Sequence, residues 1–238
     1  MIPSNSKHIP HGEDADRNDH GQQEASRLPI DPCAEDELQG QGSQNAEPHQ
    51  NEVLVPVHPA IVDATQVVVL VDDQGIPTGT MDKLAAHSGA GALHSAFSVF
   101  LYDTAGRVLL QRRAAQKHHF RNKWSNTCCS HPLPGETVTA AASRRLLQEV
   151  GITASAEVVG SFTYRAPDLD SGLIEVEFDY VLIGEYEGDV SPNPDEVSEV
   201  QWVNFQELRE QIALDPEAYT PWLTLALDVI EQQSPTPI

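Results

Sequence analysis

Cysteine is scarce in this chain. There are three in 238 residues, an odd number, with Cys128 and Cys129 adjacent and Cys33 in a polar stretch. That usage does not suit a disulfide framework and fits a reducing compartment. Lysine and arginine are also scarce, 14 against 36 Asp and Glu, for a net charge of −22. Such a chain repels polyanions, which argues against nucleic acid or an anionic membrane as a partner. It also makes any basic cluster informative. Long apolar runs are missing too: nothing approaches the roughly 20 residues of a membrane-spanning helix. The opening residues MIPSNSKHIPHGEDADRNDHG hold no apolar core of a secretion signal. A cytoplasmic protein with no obligate protein partner is expected. A hydrophobic content of 39% is ordinary for a globular chain.

Residues 1–60 are rich in Gln, Asn, Asp, Glu, Pro, Gly and His and poor in large apolar side chains. Such a segment buries too little surface to offset its ordering entropy, so a disordered acidic tail is expected there. The folded domain is expected over residues 61–238. VVVLVDD reads as a buried strand ended by Gly75 and Pro77. SAFSVFLYD and RVLLQRR, separated by Asp103-Thr104-Ala105-Gly106, read as a hairpin. Residues 136–150 form the clearest helix: Val138, Ala142 and Leu146 recur every fourth residue, and Gly151 follows as a cap. Strands are expected near residues 158–165 and 174–183. A short strand VQWV then leads into a helix begun by Asn204, with Glu207 placed to return the capping bond. The last helix starts at Thr220-Pro221. Strands on both sides of a central helix suggest a mixed α/β (α+β) sandwich.

Three constellations carry chemistry. Arg112, Arg113, Lys117, Arg121 and Lys123 fall close together in an acidic chain, and Arg144 and Arg145 lie on the central helix. They form either a solvated charged face or a polyanion site of about the size of a diphosphate. His87 and His94 flank the loop SGAGAL, and His131 follows Cys129 by two. In LIEVEFDY, Glu175 and Glu177 alternate with Ile174, Val176 and Phe178, so both carboxylates share one strand face. They belong either to an exposed face or to a buried pair neutralised by a metal. Three His and two Glu would make a mixed N/O set suited to Mn, Zn or Fe(II) and poor for calcium.

The helix segment SHPLPGETVTAAASRRLLQEVGI, residues 130–152, resembles the Nudix box, G-x5-E-x7-R-E-apolar-x-E-E-x-G-apolar. Glu136, Arg144, Leu146, Glu149, Gly151 and Ile152 match it. Ser130, Arg145 and Gln148 replace the first Gly and two of its Glu residues. That substitution weakens the carboxylate set by which Nudix hydrolases hold magnesium. With DDQGIPTGTMDKLAAH, LHSAFS, KWSNTCCSHPLPGE, FTYRAPD, EVEFDYVL and TPW in this order, the chain resembles the type I isopentenyl-diphosphate Δ-isomerases, a branch of the Nudix superfamily.

The resemblance implies a Nudix-type α/β/α sandwich with a mixed sheet. It implies conversion of isopentenyl diphosphate to dimethylallyl diphosphate through a carbocation-like intermediate, with a small-molecule prenyl diphosphate as partner. Cys129 and Glu177, with Tyr164, match the catalytic positions. His87, His94, His131, Glu175 and Glu177 match ligands of one Mn²⁺ or Zn²⁺. Glu149 and the main-chain oxygen of Cys129 match a site for the Mg²⁺ that accompanies the diphosphate. Lys83, Arg113, Lys117 and Arg145 match positions that meet the diphosphate, and Trp222 an aromatic lid. Glu177–Tyr164 is favoured as the protonating group. Cys128 is expected to be a small buried residue. The competing expectation is a Nudix pyrophosphohydrolase acting on a nucleoside or prenyl diphosphate.

Overall fold

The computed structural model describes residues 67–233, so the acidic tail expected over residues 1–60 lies outside the described residues. Among the described residues no helix is long and apolar enough to cross a membrane. Strand β1 (Val67–Val71) pairs with β2 (Pro77–Asp82), which leads into a short helix α1 (Lys83–Ala86). Strands β3 (His94–Tyr102) and β4 (Arg107–Arg113) form the expected hairpin, closed by the bond from Asp103 N to Arg107 O. Two short strands follow, β5 (Trp124–Ser125) and β6 (Cys128–Ser130), then helix α2 (Val138–Val150). Long strands β7 (Glu157–Pro167) and β8 (Ile174–Glu185) precede β9 (Val197–Asn204), α3 (Phe205–Leu214) and α4 (Pro221–Gln233).

The sheet is mixed because its central strand β3 runs parallel to β8 and antiparallel to β1, β4 and β6. Alternation along β3 divides the core in two. Phe97, Val99 and Leu101 meet α2 through Ala142, Leu146 and Val150. Phe100 and Tyr102 meet α3 and α4 through Leu208, Leu223 and Leu227. Helices therefore cover both faces, as an α/β/α sandwich requires.

Helix α2 begins at Val138, two residues later than the expected 136, because Thr137 is the cap: its hydroxyl accepts from Ala140 N at 3.2 Å. Gly151 ends it with φ +69°, and a Cβ there would lie 2.6 Å from Ser191 O. Asn204 caps α3 as expected, whereas Glu207 accepts from Gln211 at 3.1 Å one turn later. β1 corrects the expectation of a fully buried strand: Val67 is exposed, since β1 lies between β2 and a single residue of β3. Leu146 is fully buried beneath the sheet. Leu146→Ala should lower unfolding free energy by about 2–5 kcal/mol, read from urea melts with an unchanged m-value.

Candidate active site

The sheet register determines which side chains meet. Cys128 lies opposite Val99 and Cys129 opposite Ser98 on β3. Cys128 therefore joins Val99 in the core under α2, fully buried as expected. Cys129 points to the other face, where it packs against Phe120, Tyr164, Ala166 and Trp222. His94 lies opposite Glu177 across the parallel pair, and Tyr164 opposite Glu177 across β7–β8. Directly paired residues share a sheet face, so the thiol, the phenol, the carboxylate and the imidazole all come to one side.

His87, His94, His131, Glu175 and Glu177 each offer one ligand atom, and these atoms lie within 4.8 Å of one another. His87 Nδ1–H donates to Lys83 O at 2.6 Å, and His94 Nδ1–H to Ala92 O at 2.7 Å. Both Nε2 atoms then present lone pairs. His94 Nε2 sits 3.2 Å from His131 Nε2 and 3.5 Å from Glu177 Oε1. His87 Nε2 is 2.9 Å from Glu175 Oε2, yet both atoms are buried without a hydrogen-bond partner. Lone pairs facing lone pairs in a dry site call for a cation among them. The donor set of three imidazoles and two carboxylates fits a divalent transition-metal ion. Burial drives the His131 imidazole down to about 3, which leaves it neutral and able to coordinate. Burial opposes protonation of His87 as well, but its contact with Glu175 raises it overall. The carboxylates thus demand positive charge nearby, whether from a proton or from a metal.

Glu177 accepts a 2.6 Å bond from the Tyr164 hydroxyl at Oε2 and lies 2.9 Å from His131 Nε2 at Oε1. Burial first, then the neighbouring Glu177, pushes the Tyr164 phenol well up, so it stays a donor. The Cys129 Sγ lies 3.5 Å from Arg113 Nη1 and 3.8 Å from Ser125 Oγ. Burial pushes its thiol up to about 11 against the pull of Arg113. The Trp222 indole donates to Asn126 Oδ1 at 3.1 Å, and the Arg113 guanidinium lies 5.5 Å from its ring centroid.

Cys129, His131, Tyr164, Glu175, Glu177 and Trp222 line one cavity of about 210 Å³, into which Lys83, Arg113, Lys117 and Arg145 also reach; His87 and His94 are not among its lining residues. Glu149 stands apart: it is buried, its oxygens taken by Gln111 Nε2 at 3.0 Å and by Arg145 at 2.5 Å. Two further box residues are structural. Glu136 and Arg144 form a two-pronged ion pair at 2.8 and 2.7 Å.

Two of the cavity residues that sequence reasoning missed make ion pairs with predicted site residues. Glu196, just before β9, bridges Lys117 and Arg145; burial works against its charge, but the two cations hold it down at about 2. His119, in the β4–β5 loop, lies 2.5 Å from Glu175 Oε1. The signal available was the double histidine within the basic cluster, read only for its charge.

A curled mixed sheet with a box helix on one face and a charged cavity beside it defines a Nudix-domain protein. The NUDIX domain family matches residues 92–223. A crystallised Deinococcus radiodurans protein shares the fold with a TM-score of 0.56 at 19% identity, over 68% of this chain and 98% of that one. The chain is 49% identical over 164 residues to the isopentenyl-diphosphate Delta-isomerase of Nocardia farcinica, covering 69% of this chain and 94% of the relative. It is 47% identical over 161 residues to isopentenyl-diphosphate Delta-isomerase 1 of Aromatoleum aromaticum, covering 90% of it. The chain belongs to the isopentenyl-diphosphate Delta-isomerase family.

Proposed function

We propose that this cavity interconverts isopentenyl and dimethylallyl diphosphate, with Cys129 and the Glu177–Tyr164 pair as its two proton-transfer groups. The observation that carries the reading is the shared apolar wall. Cys129, Tyr164 and Trp222 pack in one cluster beside the cation-lined half of the cavity. A small alkene carrying a diphosphate needs that combination of apolar and cationic surface.

An alkene is a feeble base, so its protonation gives a tertiary carbocation-like species. Two proton carriers must then address the ends of the allylic unit. The Trp222 ring offers an electron-rich face to that cation, worth about 2 kcal/mol when desolvated. Burial of the reacting groups keeps out water, which would trap the cation as an alcohol. Lys83, Arg113 and Lys117 bind the diphosphate and so supply binding energy remote from the reacting carbons. Glu196 occupies Lys117 and Arg145 in the free protein and yields them as the substrate's charge arrives.

A Mn²⁺ or Zn²⁺ ion in the His/Glu set would neutralise the two carboxylates and fix the geometry and protonation of Glu177. Glu149 and the Cys129 carbonyl suit the Mg²⁺ that accompanies the diphosphate, once Arg145 gives up the carboxylate oxygen it now holds. In the free protein the thiol carries its proton, while the imidazoles around Glu177 keep that carboxyl ionised despite burial. Because the reaction is reversible, each group gives a proton in one direction and takes it in the other. Cys128 and Cys129 are both free thiols, as a reducing cytoplasm allows.

Incubation of the purified protein with isopentenyl diphosphate and Mg²⁺ tests the reading. Dimethylallyl diphosphate should form with no phosphate released. Release of phosphate without that product would instead favour hydrolysis.

A further inference from the structure

Glu175 uses its two oxygens differently. Oε2 faces His87 Nε2 at 2.9 Å, both atoms buried without a hydrogen-bond partner, within the converging His/Glu set. Oε1 turns away and meets His119 Nε2 at 2.5 Å. His119 belongs to none of the converging ligand atoms. Its Nδ1 is buried and has no partner, so the ring proton resides on Nε2, where an acceptor waits.

We propose that His119 is a positioning residue, whose Nε2–H locks Glu175 into donating a single oxygen to the His/Glu metal site. An unrestrained carboxylate rotates between one-oxygen and two-oxygen binding. An outer hydrogen bond to one oxygen removes that freedom and aims the other.

The fold holds His119 in place from several directions. Its ring stacks on that of His87, with centroids 5.2 Å apart and planes 25° from parallel. Arg113 donates to the His119 carbonyl at 3.0 Å and to the Phe120 carbonyl at 3.1 Å. Asp168 accepts from Phe120 N at 3.1 Å. Phe120 itself has φ +47°, a left-handed conformation that a bulky residue adopts only under such restraint. Its ring meets Trp222 edge-on at 5.3 Å. The β4–β5 loop thus joins the metal half of the site to its apolar wall.

This inference rests on the His/Glu set being a divalent-metal site, and the test separates the two claims. Metal-stripped protein is titrated with Mn²⁺ alone and with Zn²⁺ alone. His119→Phe, which keeps a flat ring and removes the donor, should weaken binding by roughly 10- to 100-fold, whereas His119→Gln, whose amide restores a donor, should stay within about threefold of the parent. His119→Ala repeats the loss of the donor without bulk and should match the Phe variant. In a Glu175→Gln background, His119→Phe should weaken binding no further, because the two act as one unit. Parent-like affinity in the Phe and Ala variants would overturn the proposal. So would a Gln variant as weak as Phe, since ring packing rather than the hydrogen bond would then be responsible. If Glu175→Gln itself left the affinity unchanged, the metal-site reading would fall first.

Discussion

Cys129→Ala is expected to lower kcat for isomerisation by about 10³-fold or more, toward the upper end of what one positioned proton carrier contributes. KM should change little, because the thiol packs in the apolar cluster and the cations proposed to hold the diphosphate remain. The side chain lost is small and only partly buried, so the fold should survive, with circular dichroism and the urea midpoint close to the parent. Cys128→Ala should behave in the opposite way. That thiol is sealed in the core under α2, so its loss should reduce stability while leaving chemistry intact. Turnover in Cys129→Ala within tenfold of the parent would remove this thiol from the mechanism.

Glu177→Gln should be the second severe variant, for two reasons that can be measured separately. The carboxylate is both a donor of the His/Glu set and the acceptor of the Tyr164 hydroxyl. An amide keeps the shape but takes no proton and is a weaker ligand, so kcat should fall by about 10³-fold and bound metal should fall with it. Tyr164→Phe isolates the second function. It removes only the 2.6 Å bond, so it should lower kcat with metal content unchanged. A parallel loss of metal in Tyr164→Phe would mean that the phenol holds the site together rather than serving proton transfer.

Much of this site was legible in the sequence because its chemistry is carried by short local patterns. Glu175 and Glu177 share a strand face by simple alternation, and β8 places both toward the cavity as that period requires. The box helix announced itself through its period and through Gly151. Cys128 and Cys129 were told apart only through the family resemblance; β6 then turns them to opposite faces, as adjacent strand residues must. What was not legible depends on contacts distant in sequence. β5 and β6, two and three residues long, have no period of their own and exist only through pairing with β4 and β3. His119 reaches Glu175 through a loop shaped by Asp168, 48 residues away from Phe120. Glu196 gains its place by bridging Lys117 and Arg145, which nothing in its local sequence indicates. The spacing of one helical turn puts Glu149 and Arg145 on one helix face, yet spacing alone did not show that the guanidinium would take the carboxylate as its partner or that both would be buried.

The central claim is that this cavity moves protons on carbon and leaves the diphosphate whole. Turnover of isopentenyl diphosphate in D₂O, followed by proton NMR and phosphorus NMR, tests it most directly. Deuterium should appear in the methyl group formed from the terminal alkene carbon, with the diphosphate resonances of an intact prenyl diphosphate. This incorporation should be lost in Cys129→Ala. Release of inorganic phosphate or pyrophosphate, or dimethylallyl product free of solvent deuterium, would contradict the account.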